Sequence, residues 1–170
     1  LCIKDLNTAF RHAAPVSGKS TPDTVKAITF FKGRSKIELM TSDDAPEYES
    51  ACSEMKLPWR PAQPGVPQTN AIAERNVQDY LTGTRAAVIT AGVPNCFWPF
   101  AGSCYFMNMN ITVGNGQLKS PWEMRHGKPF EGLAIPFGAR VWFKPAKTKY
   151  TLDKVDARLQ QGVFLGYRLW

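Results

Sequence analysis

The stretch PWRPAQPGVPQTNAIAERNVQDYL, residues 58–81, changes character halfway along. Prolines recur every third residue, at Pro58, Pro61, Pro64 and Pro67, and then stop where a helical pattern begins. That rhythm suits either a stiff loop or a polyproline ligand for a partner domain. From Asn70, a residue able to cap a helix, Val77, Leu81, Thr84 and Val88 recur at three- and four-residue spacing with Tyr80 alongside. The pattern predicts a helix to Thr90, about 30 Å long, with Glu74 in its first turn.

Upstream, KIELMTS alternates in the manner of a strand and runs directly into DDAPEYESACSEM. Asp43 therefore falls at a strand end, where α/β folds commonly present ligands to a crevice, and the acidic segment after it reads as a turn. Glu74 stands where the positive end of a helix favours a carboxylate. If the two converge, carboxylates without a neighbouring histidine suit a hard cation such as Mg²⁺ (or Mn²⁺). The structural alternative is that Asp43 serves a turn and Glu74 only complements the helix dipole.

The remaining elements follow the same logic. LCIKDL and RHAAPV read as short strands. TPDTVKAITFFKG reads as a helix capped by Thr21, with Pro22 first, Val25, Ile28 and Phe31 on its apolar side, and Gly33 past its end. FWPFAGSCYFMNM predicts a second apolar helix, SPWEMRHGKPF reads as irregular, and FGARVWFKP and QQGVFLGYRL read as strands. The order predicts a mixed α/β domain over 1–112, a linker over 113–136 and a small basic β-rich region over 137–170.

Composition narrows the classes. With 170 residues and 44% hydrophobic content, the chain can build a packed core. Cys2, Cys52, Cys96 and Cys104 are scattered, and His12 and His126 have no neighbours at ligand spacing, so reduced cysteines and no structural zinc are expected. No apolar run is long and uninterrupted enough to span a bilayer, and no secretory leader is visible. An intracellular place, nuclear or cytoplasmic and without a membrane, is expected. The chain begins at Leu1, as a piece of a longer protein would. The net charge of +7 is uneven, since residues 119–170 carry ten Lys and Arg against four Asp and Glu. That excess is either a solvated face or a surface for a polyanion. Lys144, Lys147, Lys149, Lys154 and Arg158 are the candidates. Trp98, Trp122, Trp142 and Trp170 read as packing residues rather than base-stacking platforms.

SDDAPEY, PGVPQTNAIAERN, SPWEMRHGKP, FGARVWF and GVFLGY, in that order, resemble the integrase region of copia-type retrotransposon polyproteins. The family's pattern there is a Ser-Asp-Asn-Gly turn, then Thr-Pro-Gln-x-Asn-Gly-x-x-Glu-Arg, then Phe-Gly and Gly-x-Phe-x-Gly-Tyr segments. The resemblance implies a ribonuclease-H-like core whose Asp, Asp, Glu triad holds two Mg²⁺ ions, followed by an SH3-like region. By that likeness Asp43 is the second acid and Glu74 the third, and Gln68, Asn70, Arg75 and Asn76 lie along the part that meets DNA. It also implies strand transfer and 3′-end processing on DNA, a homo-oligomer, and a mobile loop where the prolines stand. Asp44, Ala45 and Ala71 depart from the family's Asn and two Gly residues. Asp5 lies too close to Asp43 to be the first acid. The resemblance therefore places that acid and its strand before Leu1, and this fragment alone is expected to be inactive. A relic that only binds nucleic acid, and a ribonuclease-H-like nuclease, are the alternatives.

Overall fold

A computed structural model describes residues 1–66, 68, 70–146, 155 and 157–168 of the chain. Strands β1 (Cys2–Lys4) and β2 (Arg11–Ala13) form an antiparallel pair. Helix α1 (Thr21–Lys32) follows. Its cap is Ser20 rather than the expected Thr21: the Ser20 hydroxyl accepts from the Asp23 N–H at 3.3 Å and donates to the Asp23 carboxylate at 2.9 Å. This reciprocal pairing fixes the entry one residue earlier than Pro22 alone suggests. Ile28, at the centre of the expected apolar stripe, is 1% exposed.

Strand β3 (Met40–Ser42) is shorter than its alternating sequence implies, and two elements stand where turn and loop were expected. The acidic segment folds as helix α2 (Pro46–Glu54), whose first-turn Glu47 and Glu49 complement the helix's positive end. Trp59–Pro61 forms strand β4, parallel to β3. The prolines therefore have separate roles. Pro61 ends β4, while Pro64 and Gly65 occupy the middle of a turn closed by Val66 N–H to Gln63 C=O at 3.1 Å. Gly65 has φ +76°, which a type II turn requires after proline.

Helix α3 (Ala71–Ala91) is the long helix expected, and a 3₁₀ turn at Asn95–Phe97 leads into α4 (Trp98–Ile111). The buried face of α3 is turned from the expected stripe: Asn76, Tyr80, Gly83, Thr84 and Val88 face inward, while Val77 and Leu81 are 42% and 45% exposed. The cause is the partner helix. A Cβ on Gly83 would run into the Tyr105 ring, and a Cβ on Gly102 into the Tyr80 ring. Each helix thus seats an aromatic ring on a glycine of the other, and the packing is closest along that line. Tyr80 also meets Phe106 edge-on at 5.1 Å, in a cluster with Ala13. On α4, the buried Asn110 side chain bonds the Arg11 backbone twice, accepting at 2.8 Å and donating at 2.7 Å, which satisfies the outer edge of β2.

The segment expected to be irregular contains α5 (Pro121–His126), capped by Ser120 and ended by Gly127 at φ +74°. Arg125 lies over the rings of Phe10 and Phe31 at 4.7 and 4.4 Å from their centroids, and donates to the Phe31 carbonyl. Strands β5 (Arg140–Phe143) and β6 (Gln160–Val163) make an antiparallel hairpin. Phe137, Phe164 and Tyr167 join Val88, Ala101 and Cys104, fastening that hairpin to the C-terminal half of α3 and to α4. Among the described residues all four cysteines are free, and no helix is long and apolar enough to cross a membrane.

Two outcomes test this packing. Helix propensity alone makes Gly102→Ala stabilising by about 1 kcal/mol, whereas the Tyr80 ring makes it destabilising by about 1–3 kcal/mol. A lowered urea midpoint supports the close approach and a raised one refutes it. His12 lies against Phe30, with centroids 4.9 Å apart. Burial first, then the Leu1 amino group and Arg125, lower His12 from 6.5 to about 4. The unfolded chain then binds a proton that the folded chain refuses, so stability falls as pH drops from 6.5 towards 4 and this contribution levels off below. His12→Gln should flatten that part of the profile, measured by urea unfolding at pH 7.5 and 4.5.

Candidate metal and nucleic-acid site

The β3–β4 ladder delivers Asp43. Met40 N–H bonds Pro58 C=O at 2.9 Å and Ala62 N–H bonds Ser42 C=O at 2.8 Å, so the ladder holds to its last residue. The buried Ser42 hydroxyl accepts from the Trp59 indole and donates to the Asp43 carbonyl, both at 2.9 Å. These bonds hold the backbone at Asp43 while its side chain stands exposed. Beneath it, the Tyr48 phenol on α2 is pushed up to about 12, by burial first and then by the charges of Asp43 and Glu47.

Glu74 arrives from the other side. Asn70 occupies the cap position of α3, but its side chain makes no capping bond to a helix N–H. Its amide instead donates to the Glu74 carboxylate at 3.4 Å, and its own Oδ1 is buried without a hydrogen-bond partner. Asp43, Asp44, residues 62–66, Asn70 and Glu74 line one open hollow of about 330 Å³. The strand end and helix start thus converge, with the Pro64–Gly65 turn forming the wall between them.

The donors in this hollow are oxygens: three exposed carboxylates, with the Asn70 amide beside them. They fit a hard divalent cation in kind, and their exposure leaves room for the waters and phosphate oxygens such an ion retains. Their number is smaller than a full protein cage, for among the described residues no three His, Cys, Asp or Glu side chains stand at metal-holding spacing.

The structure divides the remaining expected contacts. Gln68 and Arg75 are exposed beside the hollow's helix. Arg75 reaches along α3 to Asp79 at 3.2 Å, and Asp79 also pairs with Arg11 at 2.8 Å. The Arg11 hydrogen bond, first among the causes, holds the Asp79 carboxyl below its usual range. Asn76 does not stand with them: it is 3% exposed and faces the core, with its Oδ1 unpaired. Lys144 and Arg158 are exposed on the hairpin, and Lys147, Lys149 and Lys154 lie outside the described residues. The base of the hairpin, at Gly138, stands against Ala91 at the end of α3 away from the hollow at Asn70. Sequence reasoning missed the Asn70–Glu74 pairing and the place of Gln63–Val66 in the wall. The four-residue spacing of the first and the Pro-Gly pair of the second were their only signals.

No protein-family model matches the chain. Among curated proteins it is similar to the "Retrovirus-related Pol polyprotein from transposon RE1" of Arabidopsis thaliana, 26% identical over 160 residues, covering 89% of this chain and 10% of that protein. It is likewise similar to the "Retrovirus-related Pol polyprotein from transposon TNT 1-94" of Nicotiana tabacum, 28% identical over 151 residues, covering 79% of this chain and 11% of that one. The chain thus spans about a tenth of the length of these relatives. Among solved structures, a chain of the simian T-cell lymphotropic virus intasome bound to PP2A regulatory subunit B56 gamma superposes with TM-score 0.62 at 14% identity, over 95% of this chain and 60% of that one. The catalytic core of BIV integrase gives 0.57 at 17% identity, over 74% of this chain and 84% of that one. The HTLV-2 integrase catalytic core in complex with magnesium gives 0.57 at 14% identity, over 72% and 81%. By these likenesses the chain is similar over most of its length to Pol polyproteins of plant retrotransposons, and it shares the ribonuclease-H-like fold of retroviral integrase catalytic cores.

Proposed function

We propose that this chain is the catalytic-core portion of a retrotransposon integrase, acting on DNA by metal-dependent phosphoryl transfer within a longer polyprotein. The observation that carries the reading is the convergence of Asp43 and Glu74 on one open hollow. Asp43 and Glu74 would hold Mg²⁺ or Mn²⁺, with Asp44 at the same rim. A divalent ion in such a site activates the attacking oxygen and stabilises the leaving one.

The chain's own residues supply position. Ser42, clamped by Trp59, holds the backbone that carries Asp43. Asn70 steadies the Glu74 carboxylate, and the positive end of α3 favours its charge. Gln68, before α3, and Arg75, in its first turns, are exposed and would touch the DNA backbone, while the exposed Lys144 and Arg158 would take phosphates. Asn76 is assigned no DNA contact, because it is buried. A further carboxylate is needed to complete the metal-holding set, and on this reading another part of the polyprotein supplies it. Self-association belongs to the same reading, since the similar structures include an intasome and a trimeric form.

In the integrase region of the parent polyprotein, Glu74→Gln or Asp43→Asn should slow the joining of DNA ends in Mg²⁺ at least a hundredfold, measured with labelled oligonucleotides. The 170-residue chain by itself should join none. Joining by either variant at the unmutated rate would end the assignment. Asn70→Ala should leave the joining rate at saturating Mg²⁺ within a few-fold while raising the half-saturating Mg²⁺ about tenfold or more, the usual scale for losing a partner that orients a ligand. An unchanged Mg²⁺ dependence would remove the positioning role.

A further inference from the structure

Strand alternation divides the β5–β6 hairpin into two faces. The register pairs Arg140 with Val163 and Trp142 with Gln161, placing all four on one side. All four are exposed, Trp142 at 64% and Val163 at 54%. The opposite side holds Val141, Phe143 and Gly162, which lie against each other: a Cβ on Gly162 would meet the Phe143 ring at 3.1 Å and the Val141 side chain at 4.0 Å. Lys144 follows Phe143 and stands exposed at the strand's end. Trp142 thus has Arg140 on the same face, two residues before it and about 7 Å away, and the exposed Lys144 two residues after it, just past the strand's end.

We propose that this outward face binds an unpaired DNA strand, with the Trp142 indole stacking on a base and Arg140 and Lys144 holding the phosphates on either side. The inference rests on the integrase reading for the presence of DNA, and on the hairpin alone for the mode of binding. Charge decides the kind of partner. Residues 137–170 carry seven Lys and Arg against two carboxylates, Asp153 and Asp156. No ion pair involves Arg140 or Lys144 among the described residues. An apolar protein surface would not explain cations on both sides of the ring. A flat aromatic group between cations matches the two parts of an unpaired strand, its bases and its backbone. Trp142 does not pack into the core, so the energy of burying its ring is still available for binding.

The test uses the 170-residue chain in a metal-chelating buffer, so the carboxylate site contributes nothing to the result. Binding of a fluorescein-labelled twenty-nucleotide thymidine strand, and of a duplex of equal length, is followed by anisotropy across a salt series. Trp142→Ala should weaken single-strand binding about tenfold or more without changing the salt slope, and Trp142→Phe should recover most of the loss. Arg140→Gln and Lys144→Gln should each lower the single-strand slope by about 0.7. Because Trp142 is exposed, circular dichroism should show the alanine variant folded. Single-strand affinity within twofold of the unmutated chain would overturn the proposal. So would a loss of self-association, seen by sedimentation, with DNA affinity intact, since the face would then belong to a second copy. If Trp142→Ala weakens binding while Glu74→Gln leaves joining untouched in the parent protein, the integrase reading fails and this face stands. The reverse pair of results removes this face alone.

Discussion

The contact on which the rest of the structure depends is the reciprocal seating of Tyr80 on Gly102 and Tyr105 on Gly83. Two helices approach this closely only where one side has no Cβ, and the rings then fill the space that two larger residues would have kept open. The crossing fixes the rotation of α3 about its axis, and through that the direction of everything α3 carries. Its first turn directs Glu74 to the hollow beside Asp43. Its last turns receive Phe137 and the base of the basic hairpin. A change of α3's rotation by one residue would move Glu74 by about 100° and separate the carboxylates.

That rotation is also where sequence reading and structure part. Hydrophobic spacing identified α3 and α4 and placed Glu74 one turn inside its helix, because those features are local and periodic. It assigned Val77 and Leu81 to the core because they are apolar. The structure keeps the expected Tyr80, Thr84 and Val88 buried, adds Asn76 and Gly83 to that face, and leaves Val77 and Leu81 half exposed. A glycine has no hydrophobic signal, so a face chosen by close backbone approach is invisible to an apolar count. Helix α2 was missed for a related reason: Glu47, Glu49 and Glu54 hide the small pair Ala51 and Cys52, its fully buried residues. Strand β4 was hidden by its prolines. Pro61 ends the strand, and a proline at that place removes no N–H that the parallel pairing with β3 needs, since the last bond is made by Ala62.

The candidate site was legible in its two acids and less so in its supports. Asp43 at a strand end and Glu74 at a helix start are positions with chemical meaning in any α/β fold, which is why they stood out. The residues that hold them are ordinary in sequence: a serine, a tryptophan seventeen positions later, an asparagine and a Pro-Gly turn. Their roles depend on pairing between β3 and β4, and strand pairing is a long-range fact. Asn76 shows the opposite error. The family resemblance, carried over along the motif, made it a contact residue, whereas two positions beyond Glu74 on a helix is about 200° around the axis. The fold buries it accordingly.

The distribution of charge gives α3 a direction. Asp43, Asp44 and Glu74 gather at its N-terminal end, and the hairpin that carries Arg140, Lys144 and Arg158 has its base, Gly138, against the helix's C-terminal end. Without a cation, the first group repels a phosphodiester and the second attracts it, so a DNA strand on the proposed reading is drawn first to the hairpin. A cation among the carboxylates reverses the sign at the other end. Helix α3, about 30 Å long, lies between the hollow and the hairpin's base at Gly138. On the proposed reading it links the face that grips DNA to the site where DNA reacts. That link is as rigid as the two glycine–tyrosine contacts that hold α3 in place.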